Sequence, residues 1–175
     1  ANDTGDILAV SSVSTGTAGK VEIFVRASQT NDDSVQHAFT HVQTLTGATS
    51  DGSTLNTKFG DSMTMSKDGK TLVIGAPGYD DSSQADAGAV YYYEWDADND
   101  SSLVYSLQQT ITAPKTQVNM KFGSTLDIND AGTRLVIGAE TYSNNREMVF
   151  DSGETTFDLQ DTTISDQNPN SGGAF

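Results

Sequence analysis

The pair Phe59-Gly60 is followed thirteen residues on by Leu72-Val73-Ile74-Gly75-Ala76, and Phe122-Gly123 is followed at the same distance by Leu135-Val136-Ile137-Gly138-Ala139. Both ends of the motif are displaced by 63 residues (122 − 59 and 135 − 72). Self-similarity at a fixed period means that one supersecondary unit is used repeatedly, and it restricts the fold before any single residue is considered. The two copies, FGDSMTMSKDGKTLVIGA and FGSTLDINDAGTRLVIGA, agree in apolar pattern as well as identity.

Within the unit the periodicity is that of strands. Phe59, Met63 and Met65 lie among polar residues at the two-residue spacing of a half-buried strand, as do Phe122, Leu126 and Ile128. Asp68-Gly69 and Ala131-Gly132 then supply a turn residue free to take positive φ. Thr71–Ala76 is a continuous apolar run, expected of a strand covered on both faces. After a polar loop, 78–87, Gly88–Trp95 is rich in Val and Tyr and predicts a third strand. A fourth alternates Leu103, Tyr105, Leu107 and Ile111. The unit reads as a four-stranded antiparallel meander.

Three divisions follow. Residues 1–58 form a partial unit, with strands at Asp6–Ser12, Val21–Arg26 and Phe39–Leu45 corresponding to the second, third and fourth of the unit. Residues 59–121 form a complete unit. Residues 122–175 form a partial one, interrupted at 141–170 by a smaller near-repeat, MVFDSGE, TTFDLQD and TTISDQN. One apolar site per seven among Thr, Asp and Ser cannot make a coiled-coil seam, so this insertion is read as short β-strands. Gly172-Gly173-Ala174 matches Gly88-Ala89-Val90 as the start of a third strand. Both ends fall inside units, and the sequence is expected to be a piece of a longer polypeptide.

The residues resemble the FG-GAP repeat family: a Phe-Gly start, a Ser-x-Asp-Gly turn, a second strand ending Gly-Ala-Pro and a Gly-Ala-Val third strand. Phe59, Gly60, Asp68, Gly69, Gly75, Ala76, Pro77 and Gly88 fit it in the second unit. Phe122, Gly123, Gly132, Gly138 and Ala139 fit it in the third, where Glu140 stands at the Pro position. The resemblance implies an all-β fold, consecutive four-stranded blades of a β-propeller of which about two and a half are present, with a β-rich insertion in the last. A lone blade cannot hide its two faces, so the partners expected first are other blades of the same propeller or neighbouring chains. The insertion and the Ser-Gly-Gly-Ala-Phe end also resemble propeller segments of marine bacteriophage tail proteins.

Charge narrows the functional classes. With 24 acidic and 9 basic residues, net −15, the surface repels phosphate backbones and anionic lipid, which argues against nucleic-acid binding. No apolar run approaches the ~18 residues that suggest a membrane-spanning helix. There is no cysteine, and hence no disulfide framework or thiolate site. No nucleophile elbow, phosphate-cradling Gly-Lys loop or His-Glu-x-x-His motif is present, so no enzyme is expected here.

The candidate sites are few. Asp96, Asp98 and Asp100 have the alternate spacing that opens an EF-hand loop, making calcium the one candidate cofactor; Ser101 and Leu107 stand where that loop needs Gly and Glu, and a solvated acidic turn is the other reading. Asp80, Asp81 and Asp86, with Tyr92, are candidates for a binding surface. His37 and His41 are four apart on or before a strand, which separates them by ~13 Å and leaves them without a third metal ligand. The expected function is a structural or recognition segment of a virion, such as a phage tail contacting a host-surface protein or glycan. An adhesin or carbohydrate-binding module at a cell surface, and an accessory propeller beside a hydrolase, are the alternatives.

Overall fold

The computed structural model describes residues 1–13, 18–26, 38–48, 52–53, 56–82, 84–95 and 105–141, together with the backbone of strands at 146–151, 158–163 and 173–174. It is an all-β chain of antiparallel sheets. The first sheet has three strands in chain order: β1 (Ile7–Ser12), β2 (Lys20–Arg26) and β3 (Phe39–Thr46). The second is a four-stranded meander of β4 (Ser62–Met65), β5 (Thr71–Ala76), β6 (Ala89–Trp95) and β7 (Tyr105–Ile111). The third holds β8 (Phe122–Ile128), β9 (Arg134–Ala139), β10 (Arg146–Asp151), β11 (Asp158–Thr163) and β12 (Gly173–Ala174).

The turns form for the reasons their residues suggest. Gly69 and Gly132 take φ of 76° and 70°. Ser66 Oγ accepts from the Thr71 amide, and Asn129 Oδ1 accepts from the equivalent Arg134 amide. Asp68 accepts from the Lys70 amide, whereas the third sheet has Ala131 at that place and Asn129 takes the Thr133 amide as well. One asparagine thus replaces a serine and an aspartate. Even an irregularity is repeated: β2–β3 shifts register between Ile23 and Phe24, and β6–β7 between Tyr92 and Tyr93. Gln43 faces Ile23 as Gln109 faces Tyr92.

The core lies between sheets. Ile7, Val21, Ile23 and Leu45 of the first sheet meet Phe59, Leu72, Ile74, Tyr91, Tyr93 and Tyr105 of the second. Val73, Val90, Tyr92 and Ile111 on the opposite face of the second sheet meet Met120, Phe122, Leu135 and Ile137 of the third. Alternation along a strand sends neighbours to opposite faces, so β5 is buried throughout only because both faces are covered.

Three expectations are corrected. Tyr92 is no surface residue: it is 8 % exposed and packs into the core between the second and third sheets, its hydroxyl donating to Glu94 at the sheet's margin. Tyr105, Leu107 and Ile111 do not share one face as their alternation suggests: the bulge puts Tyr105 into the core shared with the first sheet and Ile111 into that shared with the third, and Leu107, on the edge strand, is half exposed. Val136, in the same pentapeptide as Val73, is 50 % exposed against 0 %, since no sheet covers that side of β9 among the described residues.

The insertion enters the third sheet directly. Opposite β8, the edge of β9 is shared: Gly173 and Ala174 of β12 pair with Ala139 and Gly138, while Phe150 and Asp151 of β10 pair with Leu135 and Arg134. In the second sheet β6 alone covers the corresponding edge from Thr71 to Ala76. Phe150 therefore takes the register position held by Tyr93, and β10 continues outward as a hairpin with β11.

Candidate recognition surface

The residues with most chemical content gather where β5 ends and β8 begins. Ala85, Asp86 and Ala87 give their carbonyls to the amides of Asn119, Lys121 and Phe122 at 2.8, 2.9 and 3.0 Å. The 78–87 loop of one sheet is thereby zipped to the strand that opens the next. Asp80 Oδ1 accepts from the Asp86 amide at 2.8 Å, and Asp81 and Gln84 exchange two backbone hydrogen bonds. Ser82 and Asp86 both take positive φ, 54° and 51°, a conformation held here by the surrounding hydrogen bonds. These bonds tie the described part of the loop down as a ledge. It presents Asp80 exposed and Asp81 and Asp86 half-buried.

Lys121 stands beside it, its ammonium 2.6 Å from the Glu140 carboxylate. That hydrogen bond, followed by the charges of Glu140, Asp86 and Asp61, holds the Lys121 pKa above its ordinary value. Glu140 is held below its own, first by Lys121 and then by Lys58. The Glu140 that departs from the family pattern thus forms an ion pair where the second sheet has buried Pro77. The lysines belong to a repeat longer than the Phe-Gly pair. Asn56-Thr57-Lys58 and Asn119-Met120-Lys121 are 63 residues apart, and Asn56, Lys58, Asn119 and Lys121 all take positive φ, between 53° and 60°. That extension was visible in the sequence as NTKFG and NMKFG.

The motif residues serve the joints between sheets. Phe59 and Phe122 are fully buried, and Gly60 and Gly123 take φ of 91° and 84°. A Cβ on Gly88 would stand 2.2 Å from the Phe122 carbonyl oxygen, and one on Gly19 would stand 2.0 Å from that of Phe59. Glycine is required at both because one backbone lies against another. Ala76, Pro77 and Ala139 are buried at the strand ends.

A second cluster went unread in the sequence. Lys20 and His41 each reach a different oxygen of Glu22 at 2.6 Å, and the Thr44 hydroxyl also donates to Glu22. Antiparallel pairing sets Glu22 opposite Thr44, which no local pattern announces. These bonds, those of Lys20 and Thr44 first, draw the Glu22 pKa down to about 2. Although it holds a hydroxyl, an imidazole and a carboxylate, this is no relay: Thr44 and Glu22 both approach His41 Nε2, whereas a base must meet nucleophile and orienting acid through different nitrogens. No group of three or more His, Cys, Asp or Glu able to hold a metal occurs among the described residues. Asp96, Asp98, Asp100 and His37 lie outside them.

Stacked antiparallel sheets, each opening against the last, define blades of a β-propeller. The chain carries an FG-GAP repeat: residues 39–93 match that family's profile, a window running from the last strand of the first sheet through three strands of the second. No curated protein matches. Among solved structures the chain is similar to two candidate 6-phosphogluconolactonases. For that of Bacteroides uniformis the TM-score is 0.52 at 16 % identity over 92 % of this chain; for that of Bacteroides fragilis it is 0.57 at 16 % over 99 %. At that identity the likeness is one of fold. The chain spans 37 % and 39 % of their lengths.

Proposed function

We propose that this chain is a non-catalytic segment of a larger FG-GAP propeller, serving as scaffold and recognition surface in an extracellular or virion assembly, most concretely a phage tail in contact with its host. The observation that carries the reading is the 78–87 ledge, whose carboxylates ride on a backbone pinned to the next sheet by three hydrogen bonds. Preorganised acceptors of this kind suit a hydroxyl-rich ligand such as a surface glycan, because little order is lost on binding. Calcium held by Asp96, Asp98 and Asp100 would bridge the chain to such a ligand.

A lactonase activity, suggested by the names of the fold neighbours, is disfavoured by charge. A phosphorylated sugar lactone is an anion. This ledge offers it Asp80, Asp81 and Asp86, with Lys121 already engaged by Glu140.

The test combines location and binding. Labelled chain should appear in assembled tails by electron microscopy, and the isolated chain should bind a host glycan on an array. Asp81→Asn with Asp86→Asn should abolish that binding while leaving the far-ultraviolet circular dichroism unchanged. Turnover of 6-phosphogluconolactone by the chain, or unaltered glycan binding by the double variant, would reject the reading.

A further inference from the structure

We infer that the outer face of the first sheet is a self-association surface, through which two copies of this chain meet about a two-fold axis. The inference goes beyond the recognition role of the 78–87 ledge and does not depend on it.

The second sheet shows what a face built for a sheet-to-sheet joint contains. Towards the first sheet it presents Ala76, Ala89, Tyr91 and Tyr105, all buried, with Trp95 packed beside them. Register identifies the counterparts on the first sheet's outer face. Ser12 and Lys20 replace Ala76 and Ala89, Val10 and Glu22 replace Ile74 and Tyr91, and Arg26 and Phe39 replace Trp95 and Tyr105. Charges are costly to hold in a dry joint, so this face is made for a different contact.

Its composition indicates which. Lys20 is paired with Glu22 at 2.6 Å and Arg26 with Asp6 at 2.7 Å, so the face is close to neutral in a chain of net −15. Two copies repel each other over most of their surface, and they approach with least opposition where charge cancels. A basic partner would be drawn to the acidic remainder instead. Apolar area is exposed here as well. Of the seven exposed large apolar side chains among the described residues, Val10, Val13, Phe39 and Val42 lie on this sheet or at its edge. Apolar side chains rimmed by paired charges and by the exposed Thr44 and Thr46 make a protein–protein contact. Because the face carries both members of an ion pair, it is self-complementary: across a two-fold axis, Lys20 of each copy can bond Glu22 of the other.

The three strands are six, seven and eight residues long. At ~4.8 Å between strands and ~3.3 Å per residue they offer roughly 300 Å² of flat surface per copy. That is well short of the ~800 Å² a side found in stable complexes. The contact is therefore weak between free chains, and it forms where an assembly tethers copies at ~mM effective concentration.

Sedimentation velocity on residues 1–175 tests this. Mass should rise from that of the monomer towards twice that value between ~10 µM and ~1 mM. The rise should be larger in ~0.5 M than in ~0.05 M salt, because screening weakens the net repulsion. Val10→Asp and Phe39→Asp should each weaken association at least ~10-fold with circular dichroism unchanged. Val118→Asp, placed on an apolar side chain 54 % exposed in the loop before β8, should leave it intact. If Val10→Asp lowers the circular dichroism, Val10→Thr, which keeps the strand's shape and loses apolar contact, takes its place. A monomer at ~1 mM in ~0.5 M salt, association untouched by the face variants, or an equal loss in Val118→Asp would each overturn the proposal. Glycan binding by the ledge is measured apart, so either reading can fail alone.

Discussion

The Ser62 hydroxyl donates to the Gly123 carbonyl at 2.6 Å, a side-chain bond that crosses from one sheet to the strand opening the next. Its 63-residue counterpart, Thr125, has no such carbonyl within the described residues. A partly buried hydrogen bond of this kind contributes about 1 kcal/mol. Ser62→Ala should therefore lower unfolding free energy in urea by about 1 kcal/mol, and Thr125→Ala should change it by less than about 0.5 kcal/mol. Equal losses would show that the bond has no role in joining the sheets.

Gly75 and Gly138 hold the same place in the repeat but different surroundings. A Cβ on Gly75 would stand 2.2 Å from the Gly123 carbonyl oxygen as well as against Ser62, whereas on Gly138 only Thr125 is in the way among the described residues. Backbone cannot move aside as a side chain can. Gly75→Val should cost about 3 kcal/mol, and Gly138→Val about 1 kcal/mol, by chemical denaturation. The reverse order would mean that the second and third sheets do not approach so closely.

Acid should weaken the first sheet through Glu22. Its pKa falls from 4.5 to about 2 because Lys20, Thr44 and His41 bond its charged form. The folded state then binds fewer protons than the unfolded, so this stabilisation is complete above pH 4.5 and disappears as pH falls towards 2. Melting temperature followed across that window should fall less steeply in Glu22→Gln than in the parent. Asp6, Asp68 and Glu140, also lowered, keep a residual slope. Salt should reduce the difference, since the cluster faces solvent.

Alkali should act on the stacked tyrosines. Burial pushes Tyr91 and Tyr92 from 10 up to about 12, and it raises Tyr93 and Tyr105 as well. The neutral phenol is favoured by folding, so the contribution is complete below pH 10 and is lost as pH rises through about 12. Tyrosinate absorbance should develop in a late step that coincides with loss of sheet circular dichroism. Independent ionisation of these four near pH 10, with the fold intact, would contradict their burial.

The strands, the turns and the recurrence of the unit are legible in the residues, because alternation, glycine at positive φ and local hydrogen-bonding side chains act over a few residues. Gly69 and Gly132 were readable for that reason. What covers each face was decided only in three dimensions. Val73 and Val136 sit in one pentapeptide, yet one is buried and the other half open, because burial depends on the sheet stacked alongside. The same holds for the Glu22 cluster, assembled by pairing β2 with β3, and for the 78–87 ledge, hydrogen-bonded to a strand more than thirty residues further on.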